Sequence, residues 1–213
     1  MDTRPMHIYE ALYKRYGEPD WWPAKTPFEV ITGAILTQNT VWGNVEKAID
    51  NFPGGPTPEF VLNAKPDELV NIIRPAGSYQ RKAACLKAVS EWLGLYGFDI
   101  SALRREPLDK LLARLLEIKG IGRESADAIL LYAFGFTTFV VDAYTVRLCN
   151  RYSIEAGKDY EAIKSYFEEN LPKCEKIYNN FHALIVTNAK THCRKKPVCE
   201  GCPLENTCEK CAN

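Results

Sequence analysis

The sequence predicts an all-α protein, and three features carry that expectation. Apolar residues recur at helical spacing along almost the whole chain, no stretch alternates strictly enough to form a strand, and prolines and glycines fall where helices start and stop. A length of 213 residues with 46% hydrophobic and 25% charged residues suits a soluble chain with a substantial core, in one domain or two small lobes. Disordered and collagen-like classes are excluded.

Taken in order, the first helix is expected over about 5–17. The next four, about 26–38, 40–51, 57–64 and 66–73, are punctuated by Thr26-Pro27, Thr57-Pro58 and Pro66-Asp67. A threonine hydroxyl accepts from a first-turn N–H, and a proline there sacrifices no hydrogen bond. Helices over about 79–96, 107–118 and 123–135 are stopped by Gly97, Gly120 and Gly135. Three more follow at about 143–152, 158–170 and 174–190. The apolar pattern breaks at Thr37-Gln38-Asn39-Thr40, whose polar side chains read most simply as caps.

Lys plus Arg and Asp plus Glu each number 27, so an anionic partner would have to be recognised by local charge. No apolar run reaches the roughly 20 residues of a membrane span, and the start MDTRPMHIYEALYKRYG has no apolar signal stretch. A cytoplasmic protein without a membrane partner is expected.

Cys85, Cys149 and Cys174 are scattered, whereas Cys193, Cys199, Cys202, Cys208 and Cys211 cluster. Clustering favours a bound metal centre over a disulfide framework. The spacing C-x5-C-x2-C-x5-C over Cys193, Cys199, Cys202 and Cys208 fits an iron–sulfur cluster, with zinc as the alternative. Cys211 forms a CxxC with Cys208, which leaves two choices of fourth ligand. The basic run Arg194-Lys195-Lys196 lies between the first two cysteines, where pinned ends would present it to a phosphate backbone at little ordering cost.

The segment LLARLLEIKGIGRESADAILLYAFG reads as helix, Gly120-Ile121-Gly122, helix. The glycines relax the φ restriction, and the free N–H groups of the second helix face a possible phosphate flanked by Lys119 and Arg123. Such a grip is indifferent to base sequence. Downstream, TTFVVDAYTVRLCNR sets one carboxylate, Asp142, at a helix start, where an N-cap is the plain reading.

The order helix, G-I-G, helix, V-V-D and cysteine cluster resembles the helix-hairpin-helix DNA glycosylases of base excision repair typified by endonuclease III, from about residue 20 to 208. The resemblance implies a two-lobed helix-hairpin-helix glycosylase fold with a C-terminal cluster loop. A six-helix lobe over 24–136, with the hairpin at about 107–135, would face a lobe of 1–23 plus 137–213 carrying loop 193–208. Double-stranded DNA containing a damaged base would lie across the cleft of a monomer, the base turned out. By the same resemblance Asp142 is catalytic, and Cys193, Cys199, Cys202 and Cys208 hold a 4Fe-4S cluster, although the family has six residues in the first gap where this chain has five. Gln38 would fill the gap left by the flipped base, and Asn39, Lys119, Gly120, Gly122, Arg123, Arg194, Lys195 and Lys196 would contact DNA.

One departure concerns the chemistry. Where the endonuclease III branch has a lysine that attacks C1′, two places beyond the second hairpin glycine, this chain has Glu124. A carboxylate cannot form the imine needed for strand cleavage, so hydrolysis without lyase activity is expected, with water as nucleophile and Asp142 activating it or stabilising the developing cation. The adenine-removing branch has a glutamate where this chain has Ala34. DWWPAKTPFEVITGAILTQNT, IRPAGSYQRKA and GIGRESADAIL are similar to the endonuclease III-like, third type of 3-methyladenine DNA glycosylase. That similarity places Trp21, Trp22, Pro23, Trp42 and Glu124 around the base, where an indole would favour a cationic alkylpurine by roughly 0.5–2 kcal/mol. The alternatives are a glycosylase for oxidised pyrimidines or mismatched thymine, and a non-catalytic DNA-binding iron–sulfur protein.

Overall fold

The computed structural model describes residues 2–19 and 22–209, and every regular element among them is helical. In chain order the α-helices begin with α1 (Arg4–Tyr16), α2 (Pro27–Leu36), α3 (Trp42–Asp50), α4 (Pro58–Asn63), α5 (Pro66–Ile73) and α6 (Tyr79–Gly94). They continue with α7 (Ile100–Leu103), α8 (Leu108–Glu117), α9 (Arg123–Ala128), α10 (Ala143–Arg151), α11 (Tyr160–Asn170) and α12 (Glu175–Thr191). The chain divides into two units, Trp22–Phe136 and the pair Met1–Trp21 with Thr137–Asn213.

In the Trp22–Phe136 unit, α2 is the spine: Phe28 through Leu36 are all buried, Glu29 and Thr32 being the polar members of an otherwise apolar run. It packs against α3, α6, α9 and the segment after α9. Thr26 Oγ1 accepts from Glu29 N at 3.1 Å, Thr57 Oγ1 accepts from Phe60 N at 3.1 Å, and Pro66 opens α5. Two features differ from the sequence expectation. The single turn α7 is held by Asp99 Oδ1 accepting from Ser101 N at 2.7 Å, and four residues are too few to show a period. The expected helix 123–135 is α9 followed by a π-helical turn, Ile129–Ala133, with Phe134 N donating to Ile129 O at 3.2 Å. Widening one turn leaves Ile129, Leu130, Leu131 and Ala133 buried, so the apolar pattern conceals it.

In the other unit, α12 is buried along most of its length and packs against α1 and α10. Phe139 stacks on Phe167 with centroids 4.5 Å apart, and Tyr178 and Phe181 meet it edge-on at 5.7 and 6.0 Å. Burying each ring stabilises the unit by about 1.5–3 kcal/mol and fixes the run Phe139-Val140-Val141 that leads into α10. Among the described residues no helix is long and apolar enough to cross a membrane.

Candidate active site

Asp142 is the N-cap of α10, with extended backbone at φ −112° and ψ −178°. Its Oδ1 accepts from Tyr144 N at 2.9 Å, Thr145 N at 2.8 Å and Thr145 Oγ1 at 3.0 Å, so the capping role is real and uses one oxygen. Oδ2 lies 3.5 Å from Nε2 of His182, on α12, and the two side chains are only 13% and 7% exposed. Burial alone would raise the carboxyl's pKa. The proximity of His182, with the N–H and hydroxyl of Thr145, outweighs that and holds it below the ordinary carboxylate value. The site thus presents an ionised carboxylate in a largely dry setting. His182 escapes sequence reasoning: in NNFHALIVTNAK it is one of several polar residues along a half-apolar helix, and only the fold brings it to a residue forty positions earlier.

The cysteine loop belongs to the same unit. Cys193, Cys199, Cys202 and Cys208 all line one cavity of about 180 Å³, walled elsewhere by Leu148, Pro197, Val198 and Leu204 together with the polar Arg151, Asn188 and His192. Four thiols around one chamber fit the donor set of an iron–sulfur cluster. Among the described residues no three His, Cys, Asp or Glu side chains converge as a site for a single ion. Arg151 Nη1 donates to Cys193 Sγ at 3.0 Å, Arg151 Nη2 to Lys195 O at 3.1 Å, and Arg147 Nη1 to Cys193 O at 3.0 Å. These arginines of α10 pin the loop on which Arg194, Lys195 and Lys196 are exposed. Cys211 lies outside the described residues.

The hairpin of the Trp22–Phe136 unit runs from α8 through Ile118–Gly122 into α9. Gly120 has φ +104° and needs glycine, while Gly122 is extended at φ −102° and serves as the cap residue of α9. Only the first glycine uses the left-handed freedom anticipated for both. Ile121 is buried as the anchor between them, and Lys119, Arg123 and Glu124 are exposed.

Gln38 belongs to this hairpin's support. Its Nε2 donates to Gly120 O at 2.9 Å and Ser125 Oγ at 3.0 Å, and its Oε1 accepts from Arg81 Nη1 at 3.3 Å. Asn39 beside it is exposed with φ +54°. Beneath the turn the buried Lys82 donates from Nζ to Leu36 O, Gln38 O and Ala76 O, each at 2.8 Å. Burial, then the nearby Arg81 charge, lower the pKa of that ammonium. The three carbonyls make Lys82 a clamp on the end of α2.

Trp22 packs on Tyr132 with centroids 5.0 Å apart at 32°, and meets Trp42 edge-on at 5.8 Å and 76°. A Cβ at Gly33 would stand 3.1 Å from Trp22 Nε1, so a larger residue there would require the indole to shift by a few tenths of an ångström. The structure therefore brings Trp22 and Trp42 together and adds Tyr132, from the π-helical turn, which had no sequence signal beyond its aromatic ring. Pro23 is exposed beside them, and Trp21 lies outside the described residues.

Comparison with known proteins adds three findings. Residues 32–173 match the model of the HhH-GPD superfamily of base excision DNA repair proteins. A Methanocaldococcus jannaschii protein assigned as a DNA repair glycosylase is 46% identical over 94% of this chain and 94% of its own. Endonuclease III of Haemophilus influenzae is 30% identical over 86% of this chain and 84% of its own. The crystal structure of Helicobacter pylori 3-methyladenine DNA glycosylase bound to 1,N6-ethenoadenine has a TM-score of 0.77 at 28% identity, covering 88% of this chain and 97% of that one.

Proposed function

The chain belongs to the HhH-GPD superfamily of base excision DNA repair proteins as an endonuclease III-like DNA glycosylase, and from that premise we propose that it hydrolyses the N-glycosidic bond of alkylated purines such as 3-methyladenine, without lyase activity. The observation that carries the reading is the ionised, nearly buried Asp142 in a chain whose hairpin offers Glu124 where a lyase needs an amine. In this reading the bond from C1′ to the base breaks with its electron pair going to the base, which an N-alkylated purine accepts because it already carries positive charge. A water oxygen bonds C1′, and its proton passes to Oδ2 of Asp142, whose negative charge also steadies the cationic sugar in the transition state. Trp22 and Trp42 offer the ring faces on which a cationic base stacks, with Trp21, Pro23 and Glu124 assigned beside them. The likeness to the Helicobacter pylori enzyme, named for 3-methyladenine, supports this substrate class.

Gln38, Asn39, Lys119, Gly120, Gly122, Arg123 and the loop Arg194–Lys196 are assigned to double-stranded DNA, bound by a cytoplasmic monomer. Cys193, Cys199, Cys202 and Cys208 would hold a 4Fe-4S cluster, and the cavity they line supports that assignment. When bound, the cluster supplies a rigid tie for the basic loop.

A second reading, a glycosylase for oxidised pyrimidines, is favoured by the endonuclease III relative at 30% identity. Incubation with methylated DNA and with thymine-glycol DNA, followed by identification of the released base, separates the two. We expect 3-methyladenine from the first and nothing from the second, and borohydride treatment should trap no protein–DNA adduct. Release of thymine glycol, or an adduct, overturns the proposal.

A further inference from the structure

Asp142 has two oxygens with different surroundings. Three donors saturate Oδ1, which leaves Oδ2 as the oxygen able to meet a water or a sugar, and the side chain beside Oδ2 is His182. We propose that His182 is a positioning residue for Asp142, fixing the direction of Oδ2 in its buried setting; this rests on the glycosylase reading above.

The surroundings assign that task to His182. Within α10, Arg147 and Arg151 are turned to Cys193, and the Arg147 guanidinium lies 5.3 Å over the Tyr144 ring. From α11, the Tyr160 hydroxyl accepts from Val141 N at 3.5 Å, while Glu168 accepts from Phe139 N at 2.8 Å and lies 3.9 Å from Lys164 Nζ. From α1, Tyr9 meets Phe181 edge-on, and Tyr178 of α12 meets Phe139. The ionisable side chain beside Oδ2 of Asp142 is that of His182, 3.5 Å away. Removing it leaves a carboxylate that burial disfavours and only the cap donors support, so its pKa should rise.

The test compares His182→Leu, which has no donor, with His182→Gln, whose amide can still reach Oδ2. In His182→Leu we expect single-turnover base release to fall about 10- to 100-fold, the effect of one charge-assisted hydrogen bond, with DNA affinity unchanged and the acid limb of the pH profile moved upward. His182→Gln should restore most of the rate. The Asp142 carboxyl, followed by carbon NMR without DNA, should titrate at higher pH in His182→Leu than in the wild type. In the wild type the His182 ring nitrogen signals should move as Asp142 titrates, a measurement that needs no variant to fold. Unmoved ring signals, or equal rates and equal carboxyl titration in both variants and the wild type, overturn the proposal. If the NMR results appear but the wild type releases no base, the glycosylase reading fails and the pairing stands.

Discussion

Asp142 caps α10 through Oδ1 and is proposed to act on the sugar through Oδ2, and a substitution can separate the two. Asparagine caps a helix about as well as aspartate, so Asp142→Asn should keep the Oδ1 contacts and shift the unfolding midpoint little. It removes the charge, so base release should fall by a factor of about 10²–10⁴. A variant that unfolds instead of losing rate would make the cap, and not the charge, the main role. The pH dependence has a defined sign. A carboxyl whose pKa is lower folded than unfolded stabilises the fold above the unfolded value of about 3.9, and that stability is lost as pH falls through the folded value. Urea midpoints of the wild type should therefore drop below about pH 4 by more than those of Asp142→Asn. At this scale Asp142 was legible from VVDAY because a cap and a lone carboxylate are both local features. His182 was not, since its meaning lies in a contact between α10 and α12.

Helix starts were legible because threonine caps and first-turn prolines act within four residues, as Thr26 and Thr57 do. The π-helical turn and the clamp of Lys82 were not, because one changes hydrogen bonding without changing burial and the other joins residues 36, 38, 76 and 82. The hairpin glycines give a contrast at this scale. Gly120→Ala forces a Cβ into φ +104° and should destabilise by about 1–2 kcal/mol, whereas Gly122→Ala, in extended backbone with open space, should change stability by less than about 0.5 kcal/mol. Equal losses in chemical denaturation would mean that the turn does not keep this backbone in solution. Lys82→Met fills the space but leaves three buried carbonyls without their donor, which should cost about 2–4 kcal/mol. A smaller loss with normal DNA binding would show that the turn bearing Gln38 holds itself.

For the whole molecule, the all-α class was legible from periodicity alone, and spacing pointed to Cys193, Cys199, Cys202 and Cys208 as the proposed ligands, with Cys211 left as the competitor for the fourth place because it forms a CxxC with Cys208. Cys208 lines the cavity with the other three. Purified anaerobically, the wild type and Cys211→Ser should hold about four irons and four sulfides per chain, and Cys208→Ser far fewer. The reverse order would exchange the ligands. The net charge of zero then bears on DNA binding, since 27 basic and 27 acidic residues provide no long-range attraction and the affinity must come from local groups. The groups proposed for that role are Lys119 and Arg123 at the hairpin and Arg194, Lys195 and Lys196 on the loop pinned by Arg147 and Arg151. Each phosphate left without its cationic partner should lower the slope of log affinity against log salt by about 0.9, so replacing the three loop residues with alanine should reduce it by about 2–3. If the proposed cluster ties the loop, Cys208→Ser should produce most of the same reduction, because the loop then loses its tie while retaining its charge. A slope that falls with the alanines but not with Cys208→Ser would mean that the loop binds DNA without being held, and that the cluster serves some other purpose.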